Sequence, residues 1–502
     1  MPARRSSPSG RWAAEACPKT QEEDRMPPTL SDATSLTGTT SSTGRRLAAL
    51  VLLCLASFMM ILDSEIVILA LPSIQNALGL DPSAAQWILT ANAVTFGGLL
   101  LLGGRAADLL GRRRVFMWGM ALFLITSLVS GIAWSGEVII VARALHGVSS
   151  AMLVPSALSI LMNTFREGKE RNRAIASWSA VGGVGATAGL LLGGTITTGL
   201  GWQWVFLVNV PVVALVMLIS PFVLDESWDR NRVRNFDIAG AVTITVAATA
   251  LVYAISNGPA LGWGSAPIIS LFGTVILLLG AFVVIEARSA APLVPIRFLR
   301  LHTVASGNLL MVAVAMIVWG ASVLISLYTQ QVLGYSAIMS GFATSVMPVA
   351  AVFGAYIGQA FITKRGFRVV AGIGLLGLGV CCLLLSRVPV EGQYFRDLFV
   401  ALGLFGLSLG VGHTTASIVA LTAVPEPESG LASGLSAASF QVGGAIGVAF
   451  VTTVSVTVSG GSTALPDLTR GFQAAFIALV CAAIVGFVIA LALPRKSVAQ
   501  AG

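Results

Sequence analysis

Four ionisable side chains lie inside apolar stretches that are long enough to be buried in a membrane. Asp63 and Glu65 lie in the first stretch. Arg143 and His146 lie three residues apart in a later one, where a helix would place them on one face. A charge at bilayer depth costs several kcal/mol, so such residues usually face a cavity or a partner and mark a transport pathway. Because arginine favours an ionised carboxylate and histidine changes charge near neutral pH, we predict a site for proton coupling or substrate binding.

The depth of Asp63 distinguishes it from Glu65. Asp63 follows Leu47, where the apolar stretch begins, by sixteen residues, which is about 24 Å along a helix at ~1.5 Å per residue. It therefore lies in the outer part of a span of about 30 Å, whereas Glu65 could instead reach outward to the headgroups. Helix positions two apart diverge by about 200°, so both carboxylates face one cavity only if Pro72 or a local break bends the helix. His146 also has an alternative role, as a hydrogen-bonded packing residue.

The composition requires a membrane around these side chains. Of 502 residues, 56% are hydrophobic and only 10% are charged, with a mean hydropathy of +0.87; ordinary globular domains contain about 25% charged residues. The net charge of +8 comes from basic residues in short loops, a pattern that orients membrane proteins and does not indicate nucleic-acid binding. The five cysteines have no metal-ligand spacing, so no metal site is expected.

Apolar runs bounded by charges or by Gly and Pro predict an all-α polytopic membrane protein with fourteen transmembrane helices. The predicted spans lie near 47–71, 87–106, 115–134, 137–160, 174–198, 203–224, 237–257, 266–287, 302–327, 337–362, 367–387, 396–421, 430–457 and 471–494. Residues 225–301, with two spans, are interpreted as an insertion. They separate an N-terminal six-helix bundle (45–224) from a C-terminal one (302–494).

The basic residues predict the orientation of the chain. Lys and Arg fall almost entirely into alternating loops, as the positive-inside rule requires. Both termini are therefore expected in the cytoplasm, and the spans in the plasma (inner) membrane. Residues 1–44 lack an apolar core, which predicts a disordered cytoplasmic tail in which Met26 is an alternative start. Residues 495–502 form a second, short cytoplasmic tail.

A charged segment separates the second and third spans. It begins at Gly104 and contains Asp108, Gly111, Arg112 and Arg113. Asp108 can pair with the arginines or with a helix terminus of the other bundle, and such contacts can break and re-form when two rigid halves rock. The segment is therefore interpreted as a conformational latch. The alternative is that its arginines only orient the chain.

Two glycine patterns bear on helix packing and symmetry. Gly366–Val369 echoes Gly111–Val115, and a glycine lies eight residues before each turn, which indicates two related halves. In the fifth span, glycines recur every fourth residue, which lets helices pack backbone to backbone in lipid. These glycines, with the one that follows them, are Gly185, Gly189, Gly193 and Gly194.

Several segments resemble transporters of the major facilitator superfamily. Gly104–Arg114 resembles the signature loop between helices two and three of that superfamily. Leu62–Pro72 is similar to the first helix of its fourteen-span drug:proton antiporter branch, with Glu65 in place of a Thr. Trp202–Pro211 is similar to the start of helix six in that branch, and segments within 429–444 are similar to its thirteenth helix. Together these segments extend over nearly everything after residue 47.

Two further segments resemble motifs that the family ties to transport. Arg143–Gly147 is similar to an Arg-x-x-Gln-Gly motif whose Arg is tied to proton transfer, with His146 in place of the Gln. The glycines of the fifth span resemble the antiporter motif Gly-x-x-x-Gly-Pro-x-x-Gly-Gly, with Leu190 in place of the Pro. Generic helix packing is the alternative for these glycines.

The resemblance implies a major facilitator fold, with two six-helix bundles plus two extra central helices. It implies proton-coupled export of small amphipathic or cationic compounds such as antibiotics, driven by the proton gradient without a cofactor. The expected partners are a drug-like small molecule, protons and the lipid bilayer; nucleic acid is not expected, and the chain is expected to be a monomer. The alternative is an exporter of an endogenous metabolite on the same fold. A membrane enzyme is disfavoured because the sequence has no metal cluster, nucleophile elbow or phosphate loop.

Overall fold

The computed structural model describes residues 43–165, 169–227, 237–289, 292–294, 297, 301–422, 424 and 429–493. The predicted tails lie outside the described residues, except for Thr43 and Gly44 at the start of the opening helix. Within the described ranges the chain forms helices and no strand. Helices satisfy their own backbone hydrogen bonds, as a chain in a bilayer must.

Most of the helices follow one another through connections of a few residues. They are α1 (Thr43–Leu78), α2 (Pro82–Leu110), α3 (Arg112–Gly131), α4 (Gly136–Thr164), α5 (Lys169–Gly199), α6 (Gln203–Leu207), α7 (Asn209–Val223), α8 (Ile238–Leu261), α9 (Ala266–Arg288), α10 (His302–Leu327), α11 (Ala337–Thr344), α12 (Val346–Arg365), α13 (Phe367–Leu385), α14 (Phe399–Leu421), α15 (Ser429–Ser459) and α16 (Leu465–Leu491). Turns with π-helical geometry extend α10 over Tyr328–Val332 and precede α14 over Tyr394–Leu398.

The prediction of fourteen spans is confirmed, because fourteen helical segments of the described chain are long and apolar enough to cross a membrane. The differences lie at helix ends and breaks. α1 ends at Leu78, so it continues past Pro72. The sixth span is divided into α6 and α7 at Val208, and Ser345 separates α11 from α12 in the tenth span.

Two apolar cores organise these helices. One contains the buried rings of Phe116, Phe123 and Phe206, and the other contains those of Phe405 and Phe476. The first core draws mainly on α1–α7 and the second on α10–α16. These helix groups are called the first half and the second half below.

Helix α8 lies against both halves. Gln86 Nε2 of α2 donates a hydrogen bond to Ser256 Oγ of α8. Thr453 Oγ1 of α15 donates to the carbonyl of Ile255 on α8 at 2.9 Å. Helix α9 packs on α8 and leaves six of its large apolar side chains exposed, as suits a helix that faces lipid.

Turns of the same kind join α2 to α3 and α12 to α13. Gly111 has φ +106° and Gly366 has φ +77°, and each directly precedes the next helix. Residues with side chains rarely adopt this φ range, so both turns favour glycine. The end of the helices that carries these turns, with Arg112–Arg114 and Arg368, is called the basic end below, and the opposite end the far end.

Candidate functional site

The structure brings Asp63, Arg143 and His146 together in the interior of the first half. Arg143 Nη1 lies 2.6 Å from Asp63 Oδ2, and His146 Nε2 lies 3.2 Å from the same oxygen. The side chain of Asp63 is 0% exposed and that of Arg143 is 1% exposed. Helix spacing explains the cluster, because positions 143 and 146 project from one face of α4 toward α1.

Asn209 completes the surroundings of Asp63. Its Nδ2 donates to Asp63 Oδ1 at 2.9 Å, so Arg143 and Asn209 donate to different oxygens of the carboxylate. Asn209 is fully buried and is the first residue of α7, directly after the break at Val208. In the sequence, Asn209 stands out only as part of Trp202–Pro211. The signal that could have singled it out is an amide in a helix that is otherwise almost entirely apolar.

Two further contacts orient Arg143 independently of Asp63. Its Nε donates to the carbonyl of Ile88 on α2 at 3.2 Å. Its Cζ lies 5.8 Å from the ring centre of Phe206 on α6, within the range of about 6 Å at which an aromatic face attracts a cation. The guanidinium is therefore held by α1, α2 and α6 together.

His146 connects Asp63 to α3. Its Nδ1 lies 3.1 Å from Thr126 Oγ1, and that hydroxyl lies 2.8 Å from the carbonyl oxygen of Leu122. The ring of Phe123 meets the imidazole edge-on at 4.5 Å. A hydroxyl has one hydrogen to donate, so Thr126 donates either to Nδ1 or to Leu122. The hydrogen bond between Thr126 and His146 can therefore form both with and without a proton on Nδ1.

Glu65 is not part of this network. α1 is continuous through residues 63–65, so the two carboxylates leave it in directions about 200° apart. Glu65 is partly exposed, and the described residues give it no hydrogen-bond or ion-pair partner. It lies beside α5, since a Cβ added at Gly189 would come within 2.7 Å of Glu65 Cβ.

The glycines of the fifth span fit α5 against α1. A Cβ added at Gly185, Gly189 or Gly193 would approach atoms of residues 61–66 to between 2.7 and 3.2 Å. Gly194 faces the second half, where an added Cβ would collide with the backbone of α11. The stripe therefore places α5 between the helix that carries Asp63 and the other half.

The charged turn at the basic end is tied to the end of α7. Arg112 Nη2 lies 3.2 Å from Asp108 Oδ1, and the backbone N–H of Arg113 donates to Glu226 Oε1 at 3.1 Å. Gly111 permits this approach, because an added Cβ would lie 2.7 Å from the same Glu226 oxygen. Nothing in the sequence distinguishes Glu226 from other charged loop residues, so it was not predicted as part of this turn.

Gly104 serves a contact between helices rather than the ionic contacts of the turn. A Cβ added there would lie 3.3 Å from Pro155 Cβ. Gly104 therefore allows α2 to pass close to the proline of α4, the helix that carries Arg143 and His146.

At the far end, α1 is tied to the second half. Ser326 Oγ of α10 donates to the carbonyl of Ile68 at 3.1 Å. Gln330 Nε2, in the turn after α10, donates to the carbonyl of Leu69 at 3.1 Å. Both carbonyls lie about one and a half helical turns beyond Asp63. The helix with the buried carboxylate is thus also a helix through which the two halves touch.

Known proteins resemble this chain over most of its length. The sequence model described as Major Facilitator Superfamily matches residues 53–321 and 307–501. The cephamycin export protein CmcT of Amycolatopsis lactamdurans is 37% identical over 462 residues, which cover 89% of this chain and 92% of that protein. The puromycin resistance protein pur8 of Streptomyces alboniger is 35% identical, and the match covers 89% of this chain and 88% of that protein.

Solved structures resemble the chain in fold. A structure of the peptide transporter POT in complex with sulfate matches with a TM-score of 0.64, and the match covers 88% of this chain and 93% of that one. The sequence identity is 18%, so the likeness concerns the arrangement of helices alone.

Proposed function

This chain belongs to the Major Facilitator Superfamily, and we propose that it exports small amphipathic or cationic compounds, antibiotics among them, across the plasma membrane in exchange for protons. The family and the helix arrangement confirm the predicted fold and identify a membrane transporter, not an enzyme. Its fourteen spans and its relatives place it in the drug-efflux branch. The names of those relatives, a cephamycin export protein and a puromycin resistance protein, support an antibiotic-like molecule as substrate.

The pairing of Asp63 with Arg143 away from water is the main support for proton coupling. Removing one charge of a buried pair leaves the other uncompensated, at a cost of about 3–5 kcal/mol. A proton that binds Asp63 removes the counter-charge of Arg143, which keeps its contacts with Ile88 and Phe206. Protonation therefore weakens the attachment of α1 to α4 and favours a different arrangement of the helices.

His146 gives the site a second position for a proton. With Nδ1 unprotonated, Thr126 donates to it; with Nδ1 protonated, Thr126 accepts and turns its own hydrogen to Leu122. Neither state leaves a buried donor without an acceptor. His146 can therefore exchange a proton with Asp63, whose Oδ2 lies 3.2 Å from Nε2.

The position of α1 links protonation to alternating access. Residues 61–66 pack on the glycines of α5, and Ile68 and Leu69 accept hydrogen bonds from the second half. A shift of α1 therefore acts on the contact between the halves at the far end, which must open and close in a rocking mechanism. In the proposed orientation the basic end and both termini lie in the cytoplasm. One chain contains both halves, so the proposed functional unit is a monomer.

Asp63→Asn in purified protein, reconstituted into lipid vesicles, tests the proposal. An imposed pH gradient should drive accumulation of a cationic drug and of a neutral transported compound by the unaltered protein, and of neither by Asp63→Asn. Glu65→Gln is the matched control, two residues away and outside the network, and should keep gradient-driven transport of a neutral compound. Gradient-driven transport by Asp63→Asn at the unaltered rate would overturn the proposal.

A double variant separates coupling from folding. Asp63→Asn alone leaves Arg143 buried without a counter-charge, which lowers stability. Adding Arg143→Gln removes the second charge, so the thermal unfolding midpoint should recover while gradient-driven transport stays absent. Recovery of both properties in the double variant would mean that the charge pair serves stability only.

A further inference from the structure

A groove lies on the outer surface of the second half, between α13 and α16 at the basic end. Its volume is about 510 Å³, and its walls include Arg368, Gly372, Ile373, Leu376, Phe487 and Leu491. Ile373 is 54% exposed and Leu376 is 48% exposed, as expected of side chains that face lipid. The groove therefore has one charged end and a long apolar wall.

Gly372 brings the two helices close together at the groove. A Cβ added there would lie 3.1 Å from Cε2 of Phe487. The Phe487 ring therefore packs directly against the backbone of α13. This contact forms an apolar wall one helical turn from Arg368.

The internal repeat shows what Arg368 lacks. In the turn Gly366–Val369, Arg368 occupies the place that Arg113 has in the first half. Arg113 Nη1 donates to the carbonyls of Leu224 at 3.1 Å and Pro221 at 3.3 Å, at the end of α7. Arg368 is half-buried, and the described residues give it no hydrogen-bond or ion-pair partner.

The surrounding charge is also different in the second half. Glu226 follows α7 in the first half, whereas the sequence after α16 continues with Arg495 and Lys496. Lys364 and Arg365 add two positive charges at the end of α12. These two segments therefore offer no acidic residue to pair with Arg368.

We propose that the groove binds an anionic phospholipid, with its phosphate on Arg368 and an acyl chain along Ile373, Leu376 and Phe487. A guanidinium binds phosphate oxygens through paired hydrogen bonds, and basic pockets between transmembrane helices suit anionic headgroups. The bound lipid bridges α13 and α16. It supplies the negative charge that Glu226 supplies in the first half. This site is separate from Asp63 and does not depend on the coupling mechanism.

Binding to the full chain in detergent, measured by native mass spectrometry, tests this proposal. The probes are phosphatidylglycerol, phosphatidylcholine, diacylglycerol and inorganic phosphate. Phosphatidylglycerol should bind most tightly, and Arg368→Gln should weaken its binding about fivefold or more, the effect of one basic residue at an anionic surface. Arg368→Lys keeps the charge and should retain most of the affinity. Arg387→Gln, in the turn just after α13 at the far end, is the matched control and should bind as the unaltered protein does.

A second pair of variants tests the acyl-chain part of the site. Ile373→Trp fills the groove without changing charge and should also weaken phosphatidylglycerol binding. Val380→Trp, at an exposed position further along α13, should not. Unchanged binding in both Arg368→Gln and Ile373→Trp would overturn the proposal. Inorganic phosphate that binds as tightly as the lipid would also overturn it, because the site would then recognise a free anion.

Discussion

At the residue scale, the contacts of one buried carboxylate, Asp63, depend on the relative positions of three helices. Arg143 on α4 and Asn209 on α7 donate to different oxygens of Asp63 on α1. His146 contacts the oxygen that Arg143 also contacts. A buried charge is tolerated only while its donors stay in place. A change in the charge of Asp63 therefore changes how these helices attach to one another.

His146→Gln tests whether the histidine carries a proton during the cycle. Glutamine can donate to Asp63 but cannot take up a proton. We expect export to continue with about one proton fewer per exported molecule, from the loss of one titrating group. The stoichiometry is measured in vesicles as the pH gradient that just balances a known drug gradient.

His413→Gln is the control for this measurement. The ring of His413 packs edge-on against Phe440 at 5.1 Å in the second half. Its substitution should leave the proton stoichiometry unchanged. The same stoichiometry in His146→Gln as in the unaltered protein would contradict the expectation that His146 adds a proton to the cycle.

Glu65→Thr restores the residue that the family resemblance implies. Glu65 is partly exposed beside α5, without a partner among the described residues, so its charge is available to a passing cation. We expect export of cationic compounds to weaken about fivefold, the effect of about 1 kcal/mol for one charge pair in water, and neutral compounds to be spared. Dose-response curves for a monocation, a dication and a neutral compound decide the matter. Equal effects on all three compounds would support the alternative interpretation, in which Glu65 only solvates the helix end.

Residue types and spacing were enough to single out three members of the buried polar cluster. A charge inside an apolar run has few roles available, which is why Asp63, Arg143 and His146 stood out. Asn209 did not stand out, because burying an amide in a membrane costs less free energy than burying a charge. Glu226 did not stand out, because carboxylates are common in loops. Their roles arise from partners 146 and 113 residues away along the chain.

At the element scale, the glycine face of α5 lets it pack closely on α1, the helix that carries Asp63. Gly189→Ala would bring a Cβ within 2.7 Å of Glu65 Cβ and 3.1 Å of the Leu62 carbonyl, so α1 and α5 must separate. Overpacking of this kind costs about 1–3 kcal/mol, and we expect gradient-driven export to fall about tenfold. Gly199→Ala is the control, because nothing lies within 4 Å of the added Cβ. Equal export by the two variants would contradict this role of α5.

The charged turn between α2 and α3 should affect rate more than affinity. Arg112→Ala removes the contact between Arg112 and Asp108 at 3.2 Å. This contact does not belong to the network around Asp63. We expect the maximal export rate to fall about fivefold, the effect of about 1 kcal/mol on the equilibrium between conformations. Arg114→Ala, at a more exposed position, should change the rate less. Loss of drug binding with an unchanged maximal rate would speak against a latch.

The glycine spacing predicted a close helix contact but not its partner. Any helix with a matching surface could have filled that face, and the choice of α1 depends on contacts between residues 61–66 and 185–193, far apart in the sequence. Pro72 is a similar case. A proline often ends a helix, yet α1 continues to Leu78 because neighbouring helices support it in the membrane.

At the scale of the whole molecule, the number of spans could be predicted and the position of the inserted pair could not. Each bilayer crossing needs its own apolar run, so fourteen runs predicted fourteen helices. The position of α8 against both halves depends on two hydrogen bonds, one between Gln86 and Ser256 and one between Thr453 and Ile255. These partners are 170 and 198 residues apart in the sequence, and none of them is unusual in its own stretch.

Substrate and protons should move in opposite directions through this one carrier. Vesicles that contain the protein, a trapped pH indicator and a permanently charged quaternary ammonium compound are diluted into drug-free buffer, with the membrane potential clamped and no pH gradient. As the compound leaves, the lumen should become more acidic, and Asp63→Asn should abolish this pH change. Exit of the compound through the unaltered protein with no acidification, or with the lumen becoming more alkaline, would contradict proton exchange at Asp63.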